Sequence, residues 1–123
     1  MERNSPEVIA EVTAAFEGYE RALVANDVEA MLGYFAPEAV RFGIADQQVG
    51  IEEQRRWRLA QAPLPPGRRL KDTIISTYGE STATVTTLFG YPGRDVLGRQ
   101  TQAWARLPEG WRIITAHVSE PTG

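Results

Sequence analysis

The second half of the chain carries four runs rich in threonine, isoleucine, valine and aromatic residues: LKDTIISTY, STATVTTLFGY, LGRQTQAWARL and WRIITAHVS. Only short turn signals separate them, Gly79-Glu80, PGRDV and PEG. Such side chains fit a pleated surface, and connections this short join antiparallel neighbours, so the runs predict a four-stranded meander. The first half has a different texture. Asn4, Ser5 and Pro6 read as a helix start, in which Asn or Ser caps free N–H groups and Pro fits the first turn, while Glu7 adds a favourable charge. Val8, Val12, Phe16, Tyr19 and Leu23 then recur at steps of 4, 4, 3 and 4. That spacing is one apolar stripe on a helix running to about residue 25.

Asn26-Asp27 breaks the stripe and recaps a short helix through Met31, Leu32 and Phe35, which Pro37 terminates. Residues 40–43 and 47–49 predict two short strands around a bend at Ala45-Asp46. A third helix follows from residue 51 to about 62, with Glu52 and Glu53 in its first turn and Arg55, Arg56 and Arg58 further on, the polarity a helix dipole favours. APLPPGRR then forces a loop. Helices first and a long antiparallel sheet afterwards make an α+β plan, and a curved sheet wrapped around the helices uses both. The expected result is a single domain over residues 1–123, a cone with a pocket inside it.

Composition removes several functions. The net charge of −3 comes from mixed signs, without the broad basic surface that nucleic acid or anionic lipid requires. No apolar stretch is long enough to span a bilayer, and the first residues lack the pattern of a signal peptide, so the expected location is the cytoplasm. There is no cysteine and a single histidine, His117, which leaves no zinc site, two-histidine iron site or thiolate chemistry within one chain. The expectation is metal-free, cofactor-free chemistry.

Arg41 lies between Val40 and Phe42, so in a strand it points away from both. It is either a solvated edge residue or a cation aimed into the pocket, where a guanidinium matches a carboxylate in two-point contact. Tyr19, within the apolar stripe, is either a core residue with its hydroxyl at the rim or part of the pocket floor. His117 and Ser119 share a strand face with Trp111, Ile113 and Thr115. A two-residue turn at Glu109-Gly110 sets Gln102 opposite His117 and Gln100 opposite Ser119, whereas a three-residue loop sets Thr101 opposite His117. The first register gathers Gln100, Gln102, Trp104, His117 and Ser119 on one surface, as a ligand-orienting group or a self-satisfied polar ladder. Arg55, Arg56 and Arg58 read as a solvated helix face, with Trp57 alone over the pocket mouth. Arg68, Arg69 and Arg99 read as surface charges or dimer contacts.

The segments EVTAAFEGYERALVANDVEAM, VRFGIADQQVG, TIISTYGESTAT and GRQTQAWARLPEGWRIITAHVS together resemble the SnoaL-like AtzH family, within the cystatin-like, nuclear-transport-factor-two-like (NTF2-like) superfamily. GRQTQAW followed by GWRIITAHVS is the most specific part. The resemblance implies a small dimeric amidohydrolase of cyanuric-acid and nitrogen catabolism. It would act without a cofactor on 1,3-dicarboxyurea, the product of a partner amidase, to give allophanate. The family's first-helix tyrosine falls on Tyr19 and its first-strand arginine on Arg41, which implies that these two are catalytic. Arg41 would hold a substrate carboxylate, Tyr19 would transfer a proton with the nearby cation favouring phenolate, and Gln100, Gln102, Trp104, His117, Ser119 and Trp57 would contact substrate.

Two other readings accompany it. A ketosteroid-isomerase-like enzyme needs a carboxylate base in an apolar pocket, and the nearest acid, Asp46, sits in a polar bend. A non-catalytic assembly module would resemble the association domain of a calmodulin-dependent kinase, whose HxS strand and dimer face are similar. Pairing into a homodimer is expected through the convex sheet face, with Val85, Phe89 and Leu97 contributing.

Overall fold

A computed structural model describes residues 1–121. Helix α1 (Pro6–Val24) and the single turn and a half of α2 (Val28–Leu32) precede strands β1 (Phe35–Phe42) and β2 (Gln47–Val49). Helix α3 (Ile51–Leu59) follows, then β3 (Arg69–Tyr78), β4 (Thr82–Gly90), β5 (Gly98–Leu107) and β6 (Gly110–Ser119). The six strands form one sheet in the order β2-β1-β6-β5-β4-β3. All neighbours are antiparallel except β1 and β6, which run parallel. The α+β expectation holds, with helices packed on one face of an open, bent sheet.

The stripe on α1 is the first half of the core: Val8, Val12, Phe16, Tyr19 and Leu23 are all buried. They meet Val85, Trp104, Ile113 and Ala116 from the sheet, together with Met31, Leu32 and Phe35. Full burial of side chains of this size contributes about 1.5 to 3 kcal/mol each, which is why α1 is held by its face and not by its helix propensity. Gly18 lets Tyr34 pass across α1, since a Cβ there would lie 2.1 Å from the Tyr34 hydroxyl. Tyr34 then stands edge-on to Tyr19 and to Trp104.

Four local expectations are corrected. The α1 start is right, but Ser5, its N-cap, makes no capping side-chain bond. Asn4 instead accepts from the Thr77 N–H at 2.9 Å and donates its own N–H to the Thr77 carbonyl at 2.9 Å, tying the N-terminus to the edge of β3. Phe35 and Pro37 belong to β1. The ring of Pro37 is accommodated because pairing with β6 is interrupted between Phe35 and Val40 and pairing with β2 starts only at Val40. Helix α3 ends at Leu59, short of residue 62. Val85 and Phe89 point into the concave side, being 1% and 6% exposed, and cannot belong to a convex dimer face.

The last hairpin departs most. Its loop is Pro108-Glu109, since Leu107 pairs with Gly110, and β6 then carries a bulge at Ile114 between the pairs Trp104–Ile113 and Ala103–Thr115. One extra residue transfers every later side chain to the other face. Thr101, not Gln102, lies opposite His117, and Arg99, not Gln100, lies opposite Ser119. Trp111 and Ile113 remain in the core, whereas Thr115, His117 and Ser119 turn to the convex side.

Candidate active site

A cavity of about 330 Å³ opens between the concave sheet, α1, α3 and the loop before β3. Its apolar lining comes from Leu23, Leu64, Pro65, Phe89 and Val118, and its polar groups include Tyr19, Gln100 and four arginines, Arg41, Arg58, Arg68 and Arg94. One parity argument holds: Arg41 does point inward, because Val40 and Phe42 take the convex side. Its Nη1 donates to Asp46 Oδ2 at 2.6 Å and to Gln48 Oε1 at 2.9 Å, and Gln48 Nε2 donates to the same Asp46 oxygen at 2.8 Å. The β1–β2 bend brings these three side chains together. Gly43 is the close approach in it, as a Cβ there would stand 2.4 Å from the Asp46 carboxylate.

Burial pushes the Asp46 carboxyl up, but the hydrogen bonds from Gln48 and Arg41 and the Arg41 charge outweigh it and hold the group below the usual carboxylate range. A proton-abstracting carboxylate needs the opposite shift, so Asp46 is a poor isomerase base. Tyr19 lines the cavity while being 6% exposed, and its hydroxyl makes no hydrogen bond among the described residues. Burial, reinforced by the Glu20 charge, raises it above its ordinary value despite Arg41, Arg68 and Arg58. The Arg41 charge does favour phenolate, as expected, but burial outweighs it and Tyr19 stands as a neutral phenol.

The far wall is a closed network. Arg68 Nε donates to Glu20 Oε1 at 2.9 Å, its Nη2 reaches Glu20 Oε2 and Gln100 Oε1 at 3.2 Å each, and its Nη1 reaches the Tyr91 hydroxyl at 3.2 Å. Its side chain is 4% exposed, so Arg68 is no surface charge. Gln100 belongs to this wall and lines the cavity. Gln102 and Trp104 do not: they lie deeper in the core, where the indole N–H donates to Gln102 Oε1 at 3.0 Å. His117 stands edge-on to Phe42 on the outer surface, and Ser119 shares that side. Neither is brought to the cavity.

At the mouth, Trp57 is half-buried with the Arg41 guanidinium carbon 4.8 Å from its ring centroid and that of Arg58 at 4.7 Å. Arg55 fits the solvated reading, bonded to Glu29 at 2.8 and 3.0 Å and to Glu52. Arg58 does not. It lines the cavity, and its Nε is buried without a partner. Sequence reasoning missed Arg58 and Arg68: an offset of three sets Arg58 on the side of the solvated Arg55, so the local pattern points away from the cavity.

No curated protein sequence matches the chain. Among solved structures, it is similar to a cystatin-like fold protein of Burkholderia xenovorans LB400, at 50% identity and a TM-score of 0.94 over 100% of this chain and 98% of that one. A protein of unknown function from the DUF3225 family of Pectobacterium atrosepticum is 43% identical, with a TM-score of 0.93 over 98% and 95% of the two chains. A ketosteroid isomerase-like protein of Erwinia carotovora atroseptica shares the fold at 15% identity and a TM-score of 0.73, over 94% and 97% of the two chains. With its NTF2-like fold and a match to the family's sequence profile over residues 1–122, the chain belongs to the AtzH-like family.

Proposed function

We propose that the chain is an amidohydrolase of 1,3-dicarboxyurea or a closely related carboxylated urea, releasing allophanate. The observation that carries this is the cavity itself, about 330 Å³, in which Tyr19 stands as a buried, neutral phenol among four arginines, three paired with acids and one, Arg58, unpaired among the described residues. That volume admits a molecule of about ten heavy atoms, and the unpaired Arg58 together with the uncommitted part of the Arg41 fork offers two places for a carboxylate.

Losing one carboxyl group breaks an N–C bond and leaves the electron pair on the urea nitrogen, which must gain a proton. If the carbon departs as carbon dioxide, the proton alone completes allophanate. If water adds first, bicarbonate departs and the demand at nitrogen is the same. Tyr19, as a phenol, donates that proton and recovers it from water, and Arg41 lowers the cost of the phenolate formed in between. Gln100 orients the urea from the far wall. The link to an upstream amidase follows from the substrate, since dicarboxyurea loses carbon dioxide spontaneously and must be used where it is made. Freshly generated dicarboxyurea should give allophanate faster with the protein than in buffer. Equal rates would remove this reading.

We also infer that the chain pairs with a second copy through its convex sheet face. Ile74, Phe42 and Ile114 are 60%, 45% and 39% exposed there. The cross-strand row Ile74, Thr86, Thr101, His117 and Phe42 carries no acidic or permanently cationic side chain. A flat row of β-branched and aromatic groups suits a self-complementary two-fold contact. Sedimentation of the native chain at micromolar concentration should give a dimer and that of Ile74→Asp a monomer; a native monomer would refute the pairing.

A further inference from the structure

Three of the four cavity arginines have an acidic partner. Arg41 is 2.6 Å from Asp46, Arg68 is 2.9 Å from Glu20 and Arg94 is 3.3 Å from Glu120. Arg58 has none, and its guanidinium makes no hydrogen bond among the described residues. Its Nε is buried and orphaned, and Arg41, a second cation, lies against the same Trp57 ring. A charged donor taken out of water without an acceptor opposes folding, and the neighbouring like charge adds to that. Such an arrangement persists where something other than the resident fold supplies the anion.

We propose that Arg58 is the specificity residue of the cavity, holding the ligand carboxylate that the reaction leaves untouched and so selecting small dianions over monoanions. This rests on the reading of the cavity as a carboxylated-urea site. The division of labour between the two cations follows from their surroundings. Arg41 already spends one nitrogen on Asp46 and Gln48, and its charge acts on the Tyr19 phenol more strongly than that of Arg58, so Arg41 marks the reacting end. Arg58 marks the other end, with the indole of Trp57 fixing the spacing between the two guanidinium groups by cation–π contact. Once one carboxyl group has gone, the product carries a single negative charge and can no longer neutralise both ends. Weakened product binding then follows from the chemistry of the step.

Malonate and acetate, titrated calorimetrically, are the dianion and monoanion probes. The native chain should bind malonate more tightly than acetate. Arg58→Met should weaken malonate binding on the order of 10- to 100-fold, the equivalent of one charge-assisted hydrogen bond, and change acetate binding less than about threefold. Arg58→Lys should recover only part of the loss, because an ammonium lacks the two-point geometry. Without ligand, Arg58→Met should melt at a higher temperature than the native chain, since an uncompensated cation has been replaced by an apolar chain of similar length. With dicarboxyurea, its KM should rise while kcat holds within about threefold. Unchanged malonate affinity in a folded Arg58→Met protein, a native chain that ignores malonate, or a lower melting temperature with falling kcat would overturn the assignment. Malonate binding that depends on Arg58 in a native chain that does not accelerate dicarboxyurea breakdown would overturn the proposed reaction and leave Arg58 in place.

Discussion

The two walls of the cavity use the same side chain in opposite ways. On the far wall Arg68 is enclosed by Glu20, Gln100 and Tyr91, and every part of its guanidinium has an acceptor. Burial alone would lower its proton affinity, but the hydrogen bond and charge of Glu20 prevail and raise it. At the mouth, burial pulls Arg58 below its ordinary value, the strongest opposing influence would come from Tyr19 only if it were ionised, and Arg41 pushes further down. A buried cation with its anion built in is part of the scaffold. A half-buried cation without one is a receptor. The contrast separates structure from function more cleanly than residue type or proximity does, and Arg41 stands between the two, with one nitrogen committed and the rest of its fork available.

Tyr19 lies between the walls and offers the largest test. Tyr19→Phe removes one oxygen and almost no volume, and because that hydroxyl has no protein partner the stability should change by less than about 1 kcal/mol. Turnover should fall by roughly 10² to 10⁴, the range for a lost proton transfer. A folded Tyr19→Phe protein with native turnover would make the tyrosine a core residue and leave the mouth cations as binding groups only.

The scaffold wall is tested next. Arg68→Met strands Glu20, whose side chain is 12% exposed, and should destabilise the fold by about 3 to 5 kcal/mol in denaturant unfolding. The double substitution Arg68→Met with Glu20→Gln should recover much of that loss. If Arg68→Met were instead neutral for stability and severe for malonate binding, the two walls would have to be exchanged in function.

For Arg41→Lys we expect anion binding to weaken by about 1.5 to 3 kcal/mol even though the charge is kept, because two-point contact is lost. Unchanged affinity would assign the whole anion site to Arg58.

The smallest effect is one of pH. The Asp46 carboxyl is held below its unfolded value, so it contributes stability that is present above the ordinary carboxylate range and is lost as pH falls through its folded value. Unfolding of the native chain and of Asp46→Asn, followed from neutral pH down to about pH 2, should therefore converge at the acid end, with the native chain showing the steeper decline. Parallel curves would mean that the clasp on Arg41 contributes nothing. On the alkaline side the raised Tyr19 favours folding below the ordinary tyrosine range and loses that contribution as pH rises through its folded value.

Much of this arrangement could be read from the chain, and the parts that could not have definite causes. The stripe of α1 was legible because burial on one helix face leaves a period, and Tyr19 falls on that period. Arg41 was legible because strand parity needs only its two neighbours. The side of β6 was not, because a bulge leaves no mark in composition: WRIITAHVS alternates equally well with or without the extra residue at Ile114, and one residue decides whether His117 sees the cavity or the outside. Arg58 was hidden in a run of cations, where local pattern cannot say which one a distant loop will cover. Leu64 and Pro65, which line the same cavity, lie in a segment whose path no periodicity describes.

The parallel pairing of β1 with β6 has a consequence in time. Strand β1 carries Arg41, yet its long partner is β6, so residues 40–42 acquire their neighbours at 115–117 only after all the chain between them exists. During synthesis α1 and α2 emerge with their apolar faces ready and no sheet to receive them, because the strand that joins β1 to the meander comes last. The entropic cost of closing so long a loop grows only with the logarithm of its length, but it must be met before the contacts on either side reward it. Assembly of the cavity is thereby tied to the arrival of a single late strand, and shortening Ile113 to Ala, at the point where β6 meets both Phe35 and Trp104, should slow refolding more than it speeds unfolding.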